Sequence, residues 1–86
     1  MEEPKIRFHA HALARMEERG AEKGEVISTI KQGEKFLAKF GRHGYRRNFA
    51  FHGKWRDKIY ETKQVEVFTV REESFLTVIT VIVRYF

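Results

Sequence analysis

Residues His11, Arg15 and Arg19 are spaced four apart in the segment HALARMEERG, residues 11–20. On a helix, this spacing puts one imidazole and two guanidinium groups in a single row. Such a row could bind an anion, and an imidazole can transfer protons near neutral pH. The alternative is a solvated helix face, because three acids stand close enough to neutralise the row: Glu17, Glu18 and Glu22.

The excess positive charge of the chain lies in its middle. Residues 35–58 contain eight basic residues and one acid, so this segment carries +7 while the whole chain carries +5. Aromatic residues are interleaved, and cations combined with exposed rings are typical of single-stranded nucleic-acid binding, here RNA. The alternative is that Phe49, Phe51 and Trp55 form core and the lysines only confer solubility. The residues predicted to contact nucleic acid are Lys35, Lys39, Arg42, Arg47, Lys54, Arg56, Lys58 and, near the C terminus, Arg84.

Length and composition limit the architecture. A chain of 86 residues with 42% hydrophobic and 34% charged residues predicts one ordered domain over 1–86, with any site on its surface. The absence of cysteine excludes disulfides, a thiol nucleophile and cysteine-based zinc sites. We expect no metal and no cofactor, because no carboxylate lies at ligand spacing from two histidines. The single asparagine and two glutamines are typical of proteins from hot environments.

The termini give no indication of export or membrane insertion. The start MEEPKIRF lacks the basic and apolar regions of a signal peptide, and the apolar run 75–83 is too short for a membrane-spanning helix. We therefore expect a cytoplasmic protein without a membrane partner.

Periodicity and turn signals predict the elements. We expect a short strand over 5–8, helices over 9–19 and 22–32 ending at Gly20 and Gly33, and then only strands. His9 should pack beside Leu13 and Met16. The strands are predicted over 34–40, 45–52, 56–62, 65–71 and 75–85.

These elements predict an α+β fold with two helices on one face of a four- to five-stranded antiparallel sheet. The strand over 75–85 is the most apolar and should be internal. A change in apolar alternation between Val67 and Phe68 predicts a bulge or burial on both sides. A hairpin turning at Gly53-Lys54 would place four residues on one exposed face: Arg46, His52, Arg56 and Tyr60.

The segment 11–20 resembles the opening helix of the bacterial domain of unknown function 4258. The shared pattern is H-A-x-x-R-M-x-x-R-G, which here is formed by His11, Ala12, Arg15, Met16, Arg19 and Gly20. The resemblance extends over most of the chain. It includes Val26 in the second helix, the pair Gly33-Glu34 and the C-terminal segment ITVIVRY, residues 79–85. Ala21-Glu22 departs from it, because the family usually has Ile-Ser there and so gains a capping hydroxyl for the second helix. The family is similar to the RelE/ParE toxin fold, which implies an RNA-holding open sheet face in ribonuclease members and gyrase as a target in others. Arg84 and Tyr85 resemble the C-terminal Arg and Tyr positions of RelE-type nucleases.

Metal-independent RNA cleavage needs a base for the 2′-hydroxyl, a cation for the phosphate and an acid for the leaving oxygen. Histidine, arginine and tyrosine can supply these groups. We therefore predict His11 and His52 for proton transfer, Arg15 and Arg46 for phosphate binding, and Tyr60 as an acid. Alternatively, His11 binds a backbone carbonyl and Arg15 pairs with Glu18 or Glu22.

Three classes of function agree with the sequence. The first is a toxin-like endoribonuclease, and the second is a catalytically silent nucleic-acid-binding module. The third is a protein-interaction domain whose basic face contacts an acidic partner such as an antitoxin. The ribonuclease requires an exposed histidine beside arginines, whereas the interaction domain requires apolar residues exposed among charges.

Overall fold

The computed structural model describes residues 4–86, so the part of the signal-peptide expectation that depends on residues 1–3 lies outside it. Two helices and five strands follow one another along the chain. A single 3-10 turn, Lys39–Gly41, lies between the second and third strands. The elements are β1 (Lys5–Phe8), α1 (Ala10–Arg19), α2 (Lys23–Gln32), β2 (Glu34–Leu37), β3 (His43–Trp55), β4 (Lys58–Glu72) and β5 (Phe75–Tyr85).

The strands form one sheet in the order β1-β5-β4-β3-β2, so β5 is internal, as predicted. The α+β class and the two helices are confirmed. The purely antiparallel sheet is wrong, because β1 runs parallel to β5, with Lys5 opposite Phe75 and Phe8 opposite Val78. A four-residue strand carries no sequence signal for its direction, and here the helices separate it from the meander and leave β5's outer edge for it.

The β3–β4 hairpin differs from the prediction in its turn and its length. The turn is at Arg56-Asp57, where both residues have positive φ (48° and 71°), the backbone of a tight hairpin whose twist matches its strands. The predicted turn at Gly53-Lys54 is wrong, since Gly53 follows a register shift inside β3. The strands predicted over 56–62 and 65–71 are consequently one strand, β4.

The second irregularity of the sheet is a bulge one residue beyond the predicted position, and it lies in the partner strand. The register between β4 and β5 shifts between Phe68 and Thr69, and the extra residue is Ile79 of β5. Such a bulge bends the strand and changes which side chains face the core.

Both helices pack on one face of this sheet. Apolar side chains of the helices, with Ala12 and Val26 fully buried, meet a row of valines from β4 and β5. The prediction for His9 at the start of α1 is wrong. His9 is exposed and caps α1 by accepting a hydrogen bond from the His11 N–H, so it is not a packing residue. At α2, the Glu25 carboxylate accepts from the Glu22 N–H and so forms a capping box with Glu22 as the N-cap, without a capping hydroxyl.

Candidate nucleic-acid interface

The sheet has a helix-covered face and a face opposite the helices, here called the open face. Side chains alternate between the two along each strand. Val65 and Val67 of β4 are fully buried in the core, so Glu66 between them faces the other way. The cross-strand register places Arg46 of β3 directly opposite Glu66 on this open face.

An arginine pair held by one carboxylate occupies the centre of the open face. Arg46 donates to Glu66 Oε2 through Nε (2.7 Å), and its Nη2 lies 2.6 Å from the same oxygen as an ion pair. Arg84 of β5 donates to Oε1 of the same carboxylate. Glu66 is only 5% exposed, whereas the side chains of Arg46 and Arg84 are 37% and 54% exposed. The cluster therefore presents two guanidinium groups to solvent and hides the acid that holds them.

The two arginines favour the charged form of the Glu66 carboxyl. Burial alone would raise its pKa, but the hydrogen bonds from Arg84 and Arg46 and their positive charges outweigh burial. The pKa of Glu66 therefore lies below its usual value.

An aromatic groove lies beside the arginine pair, at the β2 edge of the open face. The rings of Phe36 and Phe68 meet edge to face with centroids 5.9 Å apart, and Phe36 covers Gly44 so closely that an added Cβ would lie 2.3 Å from its ring. The Arg46 guanidinium lies 4.7 Å from the Phe36 ring centroid and so joins the groove to the arginine pair. The groove measures about 440 Å³ and is lined by Phe36, Leu37, Ala38, Lys39, Phe40, Arg42 and Phe68.

Phe40 has the most unusual conformation in the groove. It is 86% exposed and has a positive φ of 62°, a backbone region that bulky residues rarely adopt. The Arg42 guanidinium lies 5.8 Å from its ring. Because Phe40 is exposed, its strained backbone does not serve packing of the core. Strained backbone is often found at binding sites. The aromatic side chain is thus presented to solvent between two cations, Lys39 and Arg42.

The residues predicted to be catalytic are not assembled at one place. His11 and Arg15 belong to α1, behind the sheet, while Arg46 lies on the open face. His52 is exposed six residues beyond Arg46 along β3, a distance of about 20 Å. Tyr60 packs instead against Tyr85, with ring centroids 5.6 Å apart.

Tyr85 belongs to the helix-covered face, since its hydroxyl donates to the Arg19 carbonyl (2.9 Å). Burial and the nearby Glu25 carboxylate raise the pKa of Tyr85. Arg84 and Tyr85, which the resemblance treats together, therefore lie on opposite faces of β5. The predicted exposed face uniting Arg46, His52, Arg56 and Tyr60 is not formed, because the hairpin turns at a different place.

Arg15 and Arg19 of the α1 row have separate structural partners. Arg15 pairs with Glu18 on the helix surface, whereas Arg19 Nη1 donates to the Val81 carbonyl of β5 (2.6 Å). We expect Arg19→Ala to lower the free energy of unfolding by about 1.5 kcal/mol, because a charged donor to a partly buried carbonyl is lost. Arg15→Ala, the matched control, should change it by less than about 0.5 kcal/mol. Urea unfolding of both variants measures the difference, and equal losses would contradict this assignment.

The residues predicted to contact nucleic acid fall into three groups. Lys39 and Arg42 line the aromatic groove, and Arg84 belongs to the arginine pair. Two lie elsewhere on the sheet: Arg47 donates to Ser28 of α2, and Lys35 Nζ is 5.9 Å from the buried Tyr45 ring. The third group is at the β3–β4 hairpin tip: Lys54 beside Asp57, Arg56 donating to the Glu18 carbonyl, and the exposed Lys58.

The sequence interpretation missed the aromatic groove and Glu66. The aromatic residues that it considered are packed: Phe51 and Trp55 lie against Tyr85, with centroids 5.2 and 5.0 Å away. A usable signal was present at Phe40-Gly41, since a phenylalanine in a glycine-containing turn has no strand neighbours to cover it. For Glu66, the signal was one acid between two buried valines.

Metal-ligand clusters and membrane-spanning helices are absent from the part of the chain that the structure describes. Within residues 4–86, no three side chains of His, Asp or Glu come close enough together to hold a metal ion. Neither α1 nor α2, the helices of the described chain, has the length and apolar character needed to cross a bilayer.

No protein-family model matches the chain, and no curated protein or solved structure gives a significant match. The resemblance to the domain of unknown function 4258 and to the RelE/ParE fold therefore stays a prediction.

Proposed function

We propose that this protein binds single-stranded RNA in the cytoplasm through the open face of its sheet. The observation that carries the proposal is the strained, solvent-exposed Phe40 beside Lys39 and Arg42 at the rim of an aromatic groove. Rings that stack on bases and cations that neutralise phosphates are the two requirements for binding single strands.

The dimensions and charge of the groove suit one nucleobase with its backbone. A volume of about 440 Å³ lies within the range of pockets that hold small organic ligands, roughly 300–1,000 Å³. A base would stack on the exposed ring of Phe40, while Lys39 and Arg42 contact its phosphates. The open face then leads from the groove to Arg46, whose guanidinium already covers Phe36.

The resemblance to RelE-type proteins supports the same face, because their ribonuclease members hold RNA on an open sheet. The proposal covers binding without cleavage, since the predicted acid, base and cation lie apart. Incubating RNA with the protein in EDTA should therefore leave the RNA intact on a gel.

Removing the two groove cations should weaken RNA binding. We expect the variant Lys39→Ala/Arg42→Ala to bind a single-stranded RNA decamer about tenfold more weakly than the parent. The slope of log affinity against log salt should fall by about 1.4, because each phosphate contact with a single strand contributes about 0.7. Fluorescence anisotropy at several salt concentrations measures both quantities.

The matched control is Lys54→Ala/Lys58→Ala, which removes the same charge from the hairpin tip. It should bind within about twofold of the parent, once long-range attraction is screened by salt. Equal losses in the two double variants would show that only total charge matters. Binding by neither the parent nor the variants would contradict the proposed function.

A second candidate function is docking of an acidic protein partner at the same edge. It is favoured by Leu37, which is 87% exposed beside Phe40 and two cations. An apolar residue exposed among positive charges is what the interaction class requires. Changing the ring of Phe40 without changing its apolar character separates the two candidates, since only RNA needs a stacking surface.

A further inference from the structure

Glu66 carries a negative charge at the centre of a surface that we propose for a polyanion. Taken alone, this carboxylate should weaken RNA binding. It is nevertheless buried, and it accepts hydrogen bonds from Arg46 and Arg84, which come from different strands. Both oxygens of Glu66 are engaged, so the acid faces the two guanidinium groups and is shielded from solvent by them.

The hydrogen bonds with Glu66 leave part of each guanidinium free. A guanidinium has five N–H donors, and the hydrogen bonds to Glu66 come from Nε of Arg46 and Nη1 of Arg84, while Nη2 of Arg46 makes the ion-pair contact. The remaining donors include both N–H groups of Nη1 on Arg46 and of Nη2 on Arg84. These two side chains are also partly exposed. Two arginines fixed by one acid can therefore donate to one further anion.

The register of the sheet places this anion next to the aromatic groove. Phe36 lies opposite Gly44, and Gly44 lies opposite Phe68, so these residues form one row across the open face. Arg46 and Glu66 form the next row, two residues along the strands and about 6.7 Å away. A phosphate in the second row could thus belong to the nucleotide whose base lies in the first.

We propose that Glu66 is a positioning residue that fixes Arg46 and Arg84 to clamp one RNA phosphate whose base occupies the aromatic groove. This inference rests on the proposed function. Pre-organised arginines lose less conformational freedom on binding than mobile ones, so the held pair binds phosphate more tightly than two free side chains.

Removing the charge of Glu66 tests the proposal, because its electrostatic effect and its effect on the arginine positions change RNA affinity in opposite directions. Glu66→Gln makes the protein more positive, so a purely electrostatic surface would bind RNA more tightly. If Glu66 positions the arginines, Glu66→Gln should instead bind the RNA decamer about tenfold more weakly. The salt slope should fall by about 0.7, the contribution of one phosphate.

Glu72→Gln is the matched control, because Glu72 is on the same strand and pairs only loosely with Arg7, at 3.8 Å. It makes the same charge change and should bind as tightly as the parent or slightly more tightly, with an unchanged salt slope. Tighter binding by both variants would overturn the positioning role while leaving the proposed function intact. A parent that binds no RNA would instead remove the proposed function itself.

Glu66→Asp tests position at constant charge. Its carboxylate is one methylene shorter and cannot hold both arginines in their present places, so affinity should again fall, by about threefold or more. Circular dichroism and thermal unfolding establish that each variant is folded. If Glu66→Gln does not fold, Glu66→Asp decides the question, and parental affinity in it would overturn the proposal.

Discussion

Replacing Gly33 by alanine is expected to lower the free energy of unfolding by about 3 kcal/mol, because backbone surrounds this residue on two sides. Gly33 joins α2 to β2, and an added Cβ would lie 2.4 Å from the Thr29 carbonyl oxygen and 2.6 Å from the Arg46 carbonyl oxygen. Neither oxygen belongs to a flexible side chain, so relief requires α2 or β3 to move. The melting temperature should fall by roughly 12–24 °C for a domain of this size.

Gly24→Ala is the control for this prediction, since it makes the same chemical change inside α2. An added Cβ at Gly24 meets nothing within 4 Å, and alanine is the better helix former. It should stabilise the protein by about 0.5 kcal/mol. Thermal unfolding by circular dichroism compares the two, and a Gly33→Ala variant as stable as the parent would show that β2 is not held this closely against α2.

The helices and the internal strand β5 could be predicted because their signals are local. Apolar spacing with Gly20 and Gly33 as stops indicated α1 and α2, and the β-branched run of β5 indicated an internal strand. The turn at Arg56-Asp57 could not be predicted from turn residues, because neither residue is glycine. Gly53, three residues earlier, follows a register shift inside β3 and forms no turn. The direction of β1 depends on which sheet edge remains free, which only the assembled fold decides.

The candidate site was predictable in its charge but not in its geometry. The basic segment 35–58 contains Lys39, Arg42 and Arg46, yet its other cations are spread over the helix-covered face and the hairpin tip. The contribution of Glu66 depends on contacts with residues 20 positions earlier and 18 positions later. Such contacts follow from the register of three strands, and no spacing rule within one segment gives them.

Removing the ring of Phe40 is expected to give the largest loss of RNA affinity among single substitutions in the groove. Stacking of one base on an aromatic side chain contributes about 1–3 kcal/mol, so Phe40→Ala should bind a single-stranded decamer about 5- to 150-fold more weakly. Stability should not fall, because the side chain is 86% exposed and packs little. Phe40→Asn should behave in the same way with less backbone strain, since asparagine tolerates positive φ.

Two further substitutions of Phe40 distinguish base stacking from apolar contact. Phe40→Trp keeps an aromatic surface and should bind RNA at least as tightly as the parent, whereas Phe40→Leu keeps apolar area without a π face and should lose most of the affinity lost by Phe40→Ala. Anisotropy titrations of the four variants at one salt concentration measure this order, with thermal unfolding as the control for folding. Parental RNA affinity in Phe40→Leu would contradict stacking at this residue. It would favour instead the acidic protein partner, for which the exposed Leu37 and Phe40 provide an apolar contact between cations.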